Sequence, residues 1–365
     1  MMFIYLKHEK REFMINEKYQ MTLDDTLVLR GMSILIIILH NYIHRFSNVV
    51  LENQHVYYPE RNKELINSFL EFDSGLFLDL ISHYGHYGVP VFVFLSGYGL
   101  VMKYEKKEVS LKFQEFMKRH AGKLWLLLLP LLIPHFLFLG IKDPSYFQEH
   151  WFDLVLMAGF AGNLHPEPYI FHGPWWFFSL IVQLYIIYYA FVYHRNIRPL
   201  VLLTVACIMV QATAIGVIRN TDLLEYFRFN FIGSVLPFAL GIIAARRHFF
   251  PTGSMAAVAF ILFIVCCFNQ YLWLLTFGLV TIAVLPLARA LHSNNKLYAA
   301  LKWLGGISAF LFVTHPIVRS CMLGIKQDFP CLSILGYTFL SILFAWEYKR
   351  FLVWCKNRIV FKQRE

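Results

Sequence analysis

Residues 27–44 read LVLRGMSILIIILHNYIH. A bilayer-crossing helix needs about 20 mainly apolar residues, and this run supplies them. It also carries Arg30, His40, Asn41 and His44. A charge near the bilayer centre costs roughly 2.5–3.5 kcal/mol on insertion scales, so such groups face protein or a wet cavity. On a straight helix Arg30 and Asn41 fall within roughly 20° of each other, His40 stands about 80° away, and the rise from Arg30 to His40 is about 15 Å. Two readings stay open from these residues alone. In one, Arg30 marks the membrane edge and the histidines bond neighbouring helices. In the other, the helix carries a reaction centre.

Working outward, the chain has 365 residues, of which 58% are hydrophobic and only 15% charged. Soluble domains carry about 25% charged residues, so the composition predicts an all-α polytopic membrane protein. About ten apolar segments reach spanning length: 27–45, 84–102, 122–141, 174–193, 199–218, 229–245, 253–270, 271–288, 304–322 and 333–352. The run Trp151 to Ala161 is shorter and reads as re-entrant or interfacial. With the N-terminus inside, roughly three-quarters of the Lys and Arg residues fall on the inner side, as the positive-inside rule requires. This puts both termini in the cytoplasm, with tails at 1–26 and 353–365, and makes 1–365 one membrane unit. Lys7, Lys10, Arg11 and Lys18 fit a retained cytoplasmic tail better than a signal peptide. The net charge of +10 is then a topology signal and not a nucleic-acid surface. The six cysteines show no CxxC spacing and read as packing residues.

Two outer loops, 46–83 and 142–173, are rich in aromatics and histidines in or beside them: His55, Tyr57, Tyr58, His83, His86, and His150, Trp151, His165, His172. They suit a cap over a sugar site, or simply the membrane interface, where aromatics gather. The second span holds Ser96, Gly97 and Gly99 around Tyr98, and the three small residues allow close approach of a backbone or a ligand. The fourth opens at Pro174 and carries Trp176, Ser179, Gln183 and Tyr185. Ser179 and Gln183, four apart, share a face. The sixth ends in Arg246 and Arg247, and the ninth carries His315-Pro316, a pattern that predicts a kink.

In this order the stretches resemble the acyltransferase 3 family of integral membrane acyltransferases. Leu29-Arg30-Gly31 running to His40 is similar to the family's opening pattern, and Phe92-Val-Phe-Leu-Ser-Gly-Tyr98 to its second. Trp176-Phe-Phe-Ser179 onward to Tyr185 resembles its Trp-Phe-Leu helix, and Ile307-Ser308 through His315 its late motif. There is one departure. The family places ten residues between arginine and histidine; here nine intervene, and Asn41 holds the usual place. The resemblance implies transfer of an acyl group, commonly acetyl, from cytoplasmic acyl-CoA to a hydroxyl of an extracytoplasmic polysaccharide or lipid-linked glycan, in a bacterial inner membrane. It implies His40 as base and Arg30 as the group that holds the donor or stabilises developing charge, with Asn41 and His44 as alternatives. Ser96, Tyr98, Trp176, Ser179, Gln183, Tyr185 and His315 become substrate-side candidates. Lys118, Arg119, Arg246 and Arg247 are candidates for the CoA phosphates. CoA is a donor substrate here, not a resident cofactor. No metal-ligand set, phosphate loop or dinucleotide fingerprint is legible. The alternative class is a glycan transporter or flippase, whose transport path the same polar groups would line. The repeated halves common in transporters are not visible.

Overall fold

The computed structural model describes residues 20–72, 74–107, 109–165, 173–322 and 329–362. The basic residues Lys7, Lys10, Arg11 and Lys18, and His172, lie outside these ranges. Among the described residues 83% are helical and none is in a strand. The helices are α1 (Leu23–Ile43), α2 (Pro59–Leu70), α3 (Leu76–Tyr84), α4 (Gly88–Leu100), α5 (Phe113–Lys142), α6 (Pro144–Ala158), α7 (Trp176–Ile187), α8 (Arg198–Thr213), α9 (Thr221–Phe229), α10 (Phe231–Arg247), α11 (Gly253–Cys267), α12 (Thr276–Val284), α13 (Asn295–Met322) and α14 (Pro330–Lys362), with short turns between them. Eight stretches among the described residues are long and apolar enough to cross a membrane, nine if α9 and α10, bent by 41°, form one span. α11 is apolar but only 15 residues long. Every segment expected to span is helical. α13 runs on through Pro316, and α14 continues helical to Lys362.

Local chemistry explains several helix starts. Asp143 accepts from the Ser145 amide at 3.0 Å just ahead of Pro144 in α6. Asn220 accepts from the Leu223 amide at 2.8 Å in α9, and Thr252 from the Met255 amide at 3.3 Å in α11. Each cap satisfies an amide that the first helical turn leaves without a partner.

The chain divides into two compact units, and α1, α7 and α13 each contribute residues to both. The first unit holds the chain up to Ser33, Tyr87–Lys112 and Ile186–Gly305. Glycines set its packing. A Cβ on Gly97 would lie 2.5 Å from the Phe238 carbonyl oxygen, and one on Gly241 would run into the Phe94 carbonyl. α4 and α10 therefore cross backbone to backbone. Gly31 faces the Leu301 carbonyl and Gly305 the Leu27 carbonyl in the same way. Small residues permit this approach where lipid supplies no hydrophobic drive between helices. A polar knot adds to it. Arg246 bonds both oxygens of Glu105 at 2.7 and 2.9 Å and reaches the Val192 carbonyl at 2.8 Å, while the Tyr188 hydroxyl donates to Glu105 at 3.0 Å. Two π-helical turns, Val101–Glu105 and Tyr188–Val192, meet at this pair.

The second unit holds Ile34–His86, Phe113–Tyr185 and the chain from Gly306 on. Tyr42 stacks on Tyr337 with ring centres 4.3 Å apart. Trp175 Nε1 donates to the Val313 carbonyl at 3.0 Å, and the Tyr348 hydroxyl to the Leu127 carbonyl at 2.8 Å. The first long loop is tied down. Asp79 accepts from the Val50 amide at 2.9 Å and from Ser68 Oγ at 2.6 Å, and His83 Nδ1 donates to the Leu51 carbonyl at 2.8 Å. Within it α2 buries Asn62, Leu65 and Ser68, and exposes Ile66, Phe69 and Leu70.

Candidate active site

The polar end of α1 builds a cluster inside the second unit. His40 is buried, and its Nδ1 lies 2.9 Å from the Ser82 carbonyl oxygen. A carbonyl can only accept, so Nδ1 carries the proton and Nε2 of the neutral ring keeps its lone pair. His44, one turn on, donates Nδ1–H to the His40 carbonyl at 2.8 Å. The two imidazoles stack with centres 4.9 Å apart. His86 sits edge-on to His40 at 5.8 Å. Its approach depends on the residue before it: a Cβ on Gly85 would lie 2.5 Å from His40 Cβ.

Arg319, near the end of α13, belongs to the same cluster. It is 7% exposed, and one nitrogen, Nη1, lies 3.4 Å from both the backbone oxygen and Oδ1 of Asn41. Asn41 Nδ2 donates to the Ile37 carbonyl at 2.9 Å, which leaves its oxygen for Arg319. Charges from Glu52 and Arg319 reach His40, and those of Arg45 and Arg319 reach His44. His315, one turn before Arg319, is fully buried with Nδ1 3.0 Å from the Leu311 carbonyl. Chemically this is a largely buried set of imidazoles beside a guanidinium cation, with at least one ring fixed as a lone-pair base.

Of the residues picked out by sequence, His40, Asn41 and His44 come together here, and His315 shares the α13 turn with Arg319. Trp176, Ser179, Gln183 and Tyr185 line α7 in the same unit. The Trp176 ring meets His55 at 5.4 Å, Ser179 is fully buried beside Gly162, and the Tyr185 ring lies 4.6 Å from His120. Lys118 and Arg119 are exposed on α5, Arg119 pairing with Glu115. Arg30, Ser96, Tyr98, Arg246 and Arg247 belong to the first unit. There Arg30 is half-buried, Ser96 bonds back to the Phe92 carbonyl at 2.8 Å, and the Tyr98 hydroxyl accepts from the Met21 amide at 3.1 Å. Arg246 is held by Glu105, and Arg247 lines an apolar cavity of about 300 Å³ with Phe94, Leu240 and Ile282. Sequence reasoning missed Gly85 and Arg319. The available signal for Arg319 was its i, i+4 spacing from His315, which places both on one helix face.

A polytopic helical protein with a buried imidazole base near the end of its first span, and a buried guanidinium brought beside it by α13, has the parts of a group-transfer enzyme working within a membrane. The family model described as an acyltransferase domain, Acyl_transf_3, matches residues 26–349, nearly the whole chain. The chain belongs to this family and is an integral, multi-pass membrane acyltransferase. No curated protein and no solved structure matches it.

Proposed function

We propose that the protein moves an acyl group, with acetyl the first candidate, from cytoplasmic acyl-CoA to a hydroxyl of an extracytoplasmic polysaccharide or lipid-linked glycan, in a bacterial inner membrane. The observation that carries the reading is His40, buried on the first span with Nδ1–H committed to the Ser82 carbonyl at 2.9 Å. A neutral imidazole held in one tautomer is suited to general-base work near neutral pH. In the proposed step Nε2 takes the proton of the acceptor hydroxyl as its oxygen attacks the thioester carbonyl. The new C–O ester bond forms, the C–S bond breaks, and the imidazolium returns the proton to the departing CoA thiolate. His44, stacked on His40, is the second candidate for the base. Arg30 holds the donor or stabilises the developing oxyanion. Lys118 and Arg119 on α5 and, separately, Arg247 on α10 are exposed cations and each a candidate for the CoA phosphates, whereas Arg246 is committed to Glu105.

The test is isotope transfer. Membranes containing the protein are supplied with acetyl-labelled acetyl-CoA, and envelope glycans are isolated. The reading expects label in glycan as an alkali-labile ester, absent from membranes lacking the protein. Glycan crossing the membrane unmodified, with no label from any acyl-CoA, would instead identify a transporter.

A further inference from the structure

Arg319 is buried, and the acyl-transfer chemistry above does not use it. Its guanidinium stays charged in any protein environment, and burying it without a counter-charge is costly. Among the described residues no carboxylate lies within ion-pair distance of it. Its hydrogen bonds there are two long ones, both from Nη1 to the neutral oxygens of Asn41 at 3.4 Å. Neither Nε nor Nη2 is used by these bonds, so an edge of the planar fork remains for an oxygen pair. Gly173 packs alongside this edge without crowding it: a Cβ there would stand 3.5 Å from Nη2, at ordinary van der Waals contact. A second cation adds to the field: Arg45, one turn beyond Asn41, lies close enough for its charge to act on Arg319. The Arg45 charge acts on Arg319 and His44 and that of Glu52 on His40, while Arg319 itself bonds only neutral oxygens among the described residues.

We infer that Arg319 is the anion-binding residue of the acceptor subsite, taking a carboxylate or phosphate group of the glycan beside His40 and His44. The inference rests on the acyltransferase reading and narrows it, because the acceptor must then be an anionic glycan. Asn41 holds the guanidinium in place without neutralising it, which a carboxylate in its position would do.

The experiment uses the full-length protein in membranes, with labelled acetyl-CoA and the native envelope glycans. Labelled product is first separated by anion exchange. An anionic labelled glycan is expected; inorganic phosphate released from it on complete hydrolysis identifies a phosphate, and its absence identifies a carboxylate. Label confined to neutral glycan overturns the inference. Arg319→Met, Arg319→Lys and Asn41→Asp are then compared with His40→Ala at equal amounts of folded protein. Arg319→Met is expected to lower transfer about 10- to 100-fold, the range of a lost hydrogen bond to a charged group, and Arg319→Lys less. Asn41→Asp creates an internal ion pair, so it should keep or raise the melting temperature and still lower transfer about tenfold or more. Wild-type transfer by Asn41→Asp or Arg319→Met, with His40→Ala inactive, sinks the anion site while leaving the acyltransferase reading intact. No transfer by the wild type contradicts both.

Discussion

His40 and Gly85 make one device. The Ser82 carbonyl fixes the ring's tautomer, and only a glycine at 85 lets the α3–α4 turn come down onto α1. Gly85→Ala should therefore push His40 off that carbonyl. We expect a loss of stability of about 1–3 kcal/mol, the range for overpacking, together with a fall in transfer larger than the melting shift explains. Thermal melting and the label assay on the same membranes check it; normal transfer by Gly85→Ala would count against the geometry. At this scale the sequence showed His40, Asn41 and His44, because a polar group in an apolar run stands out. Gly85 and Arg319 did not stand out. A glycine beside a turn has many ordinary uses, and a lone arginine at a span's end reads as topology until its partners are known.

Among the elements, the crossing of α4 with α10 depends on Gly97 and Gly241. Gly241→Ala should destabilise the protein by about 1–3 kcal/mol, with Gly241→Leu failing to accumulate; detergent melting and membrane yield measure each. The Glu105–Arg246 pair gives a second prediction. Both side chains are mostly buried, so Glu105→Gln strands a charge and should cost about 3 kcal/mol. Arg246→Met in the same chain should recover most of it. Hydropathy alone made the spans legible, because their apolar length is a local property. It could not show this pair, whose members lie 141 residues apart. Nor did it show α2, where Glu60, Arg61, Lys63 and Glu64 break up the apolar pattern in one sequence window.

For the whole molecule, bilayer replaces water as the solvent of the exterior. Leu126, Leu202 and Ile261 are 70%, 70% and 62% exposed, which only a hydrocarbon surround makes comfortable. The asymmetry of Lys and Arg predicts that reporters fused after Glu365 and at the N-terminus are active in the cytoplasm, and that one inserted near Gln54 is active outside. A reporter at Gln54 active in the cytoplasm would invert the proposed path from donor to acceptor. Fold class was legible because a membrane imposes its pattern on every span, and the family because its motifs at Arg30–His40, Phe92–Tyr98, Trp176–Tyr185 and Ile307–His315 stand in order along the chain. The cluster of Asn41 with Arg319 was not, because its side chains come from α1 and α13, far apart in sequence.

If His40 is the base of an acyl transfer, its removal must show in the initial rate of label transfer from acetyl-CoA to glycan, measured for His40→Ala beside His44→Ala and wild type at matched folded protein. Loss of a positioned general base predicts a rate about 10²–10⁴-fold lower for His40→Ala, with His44→Ala retaining the larger share of activity. A His40→Ala rate equal to wild type would show that His40 is not the base.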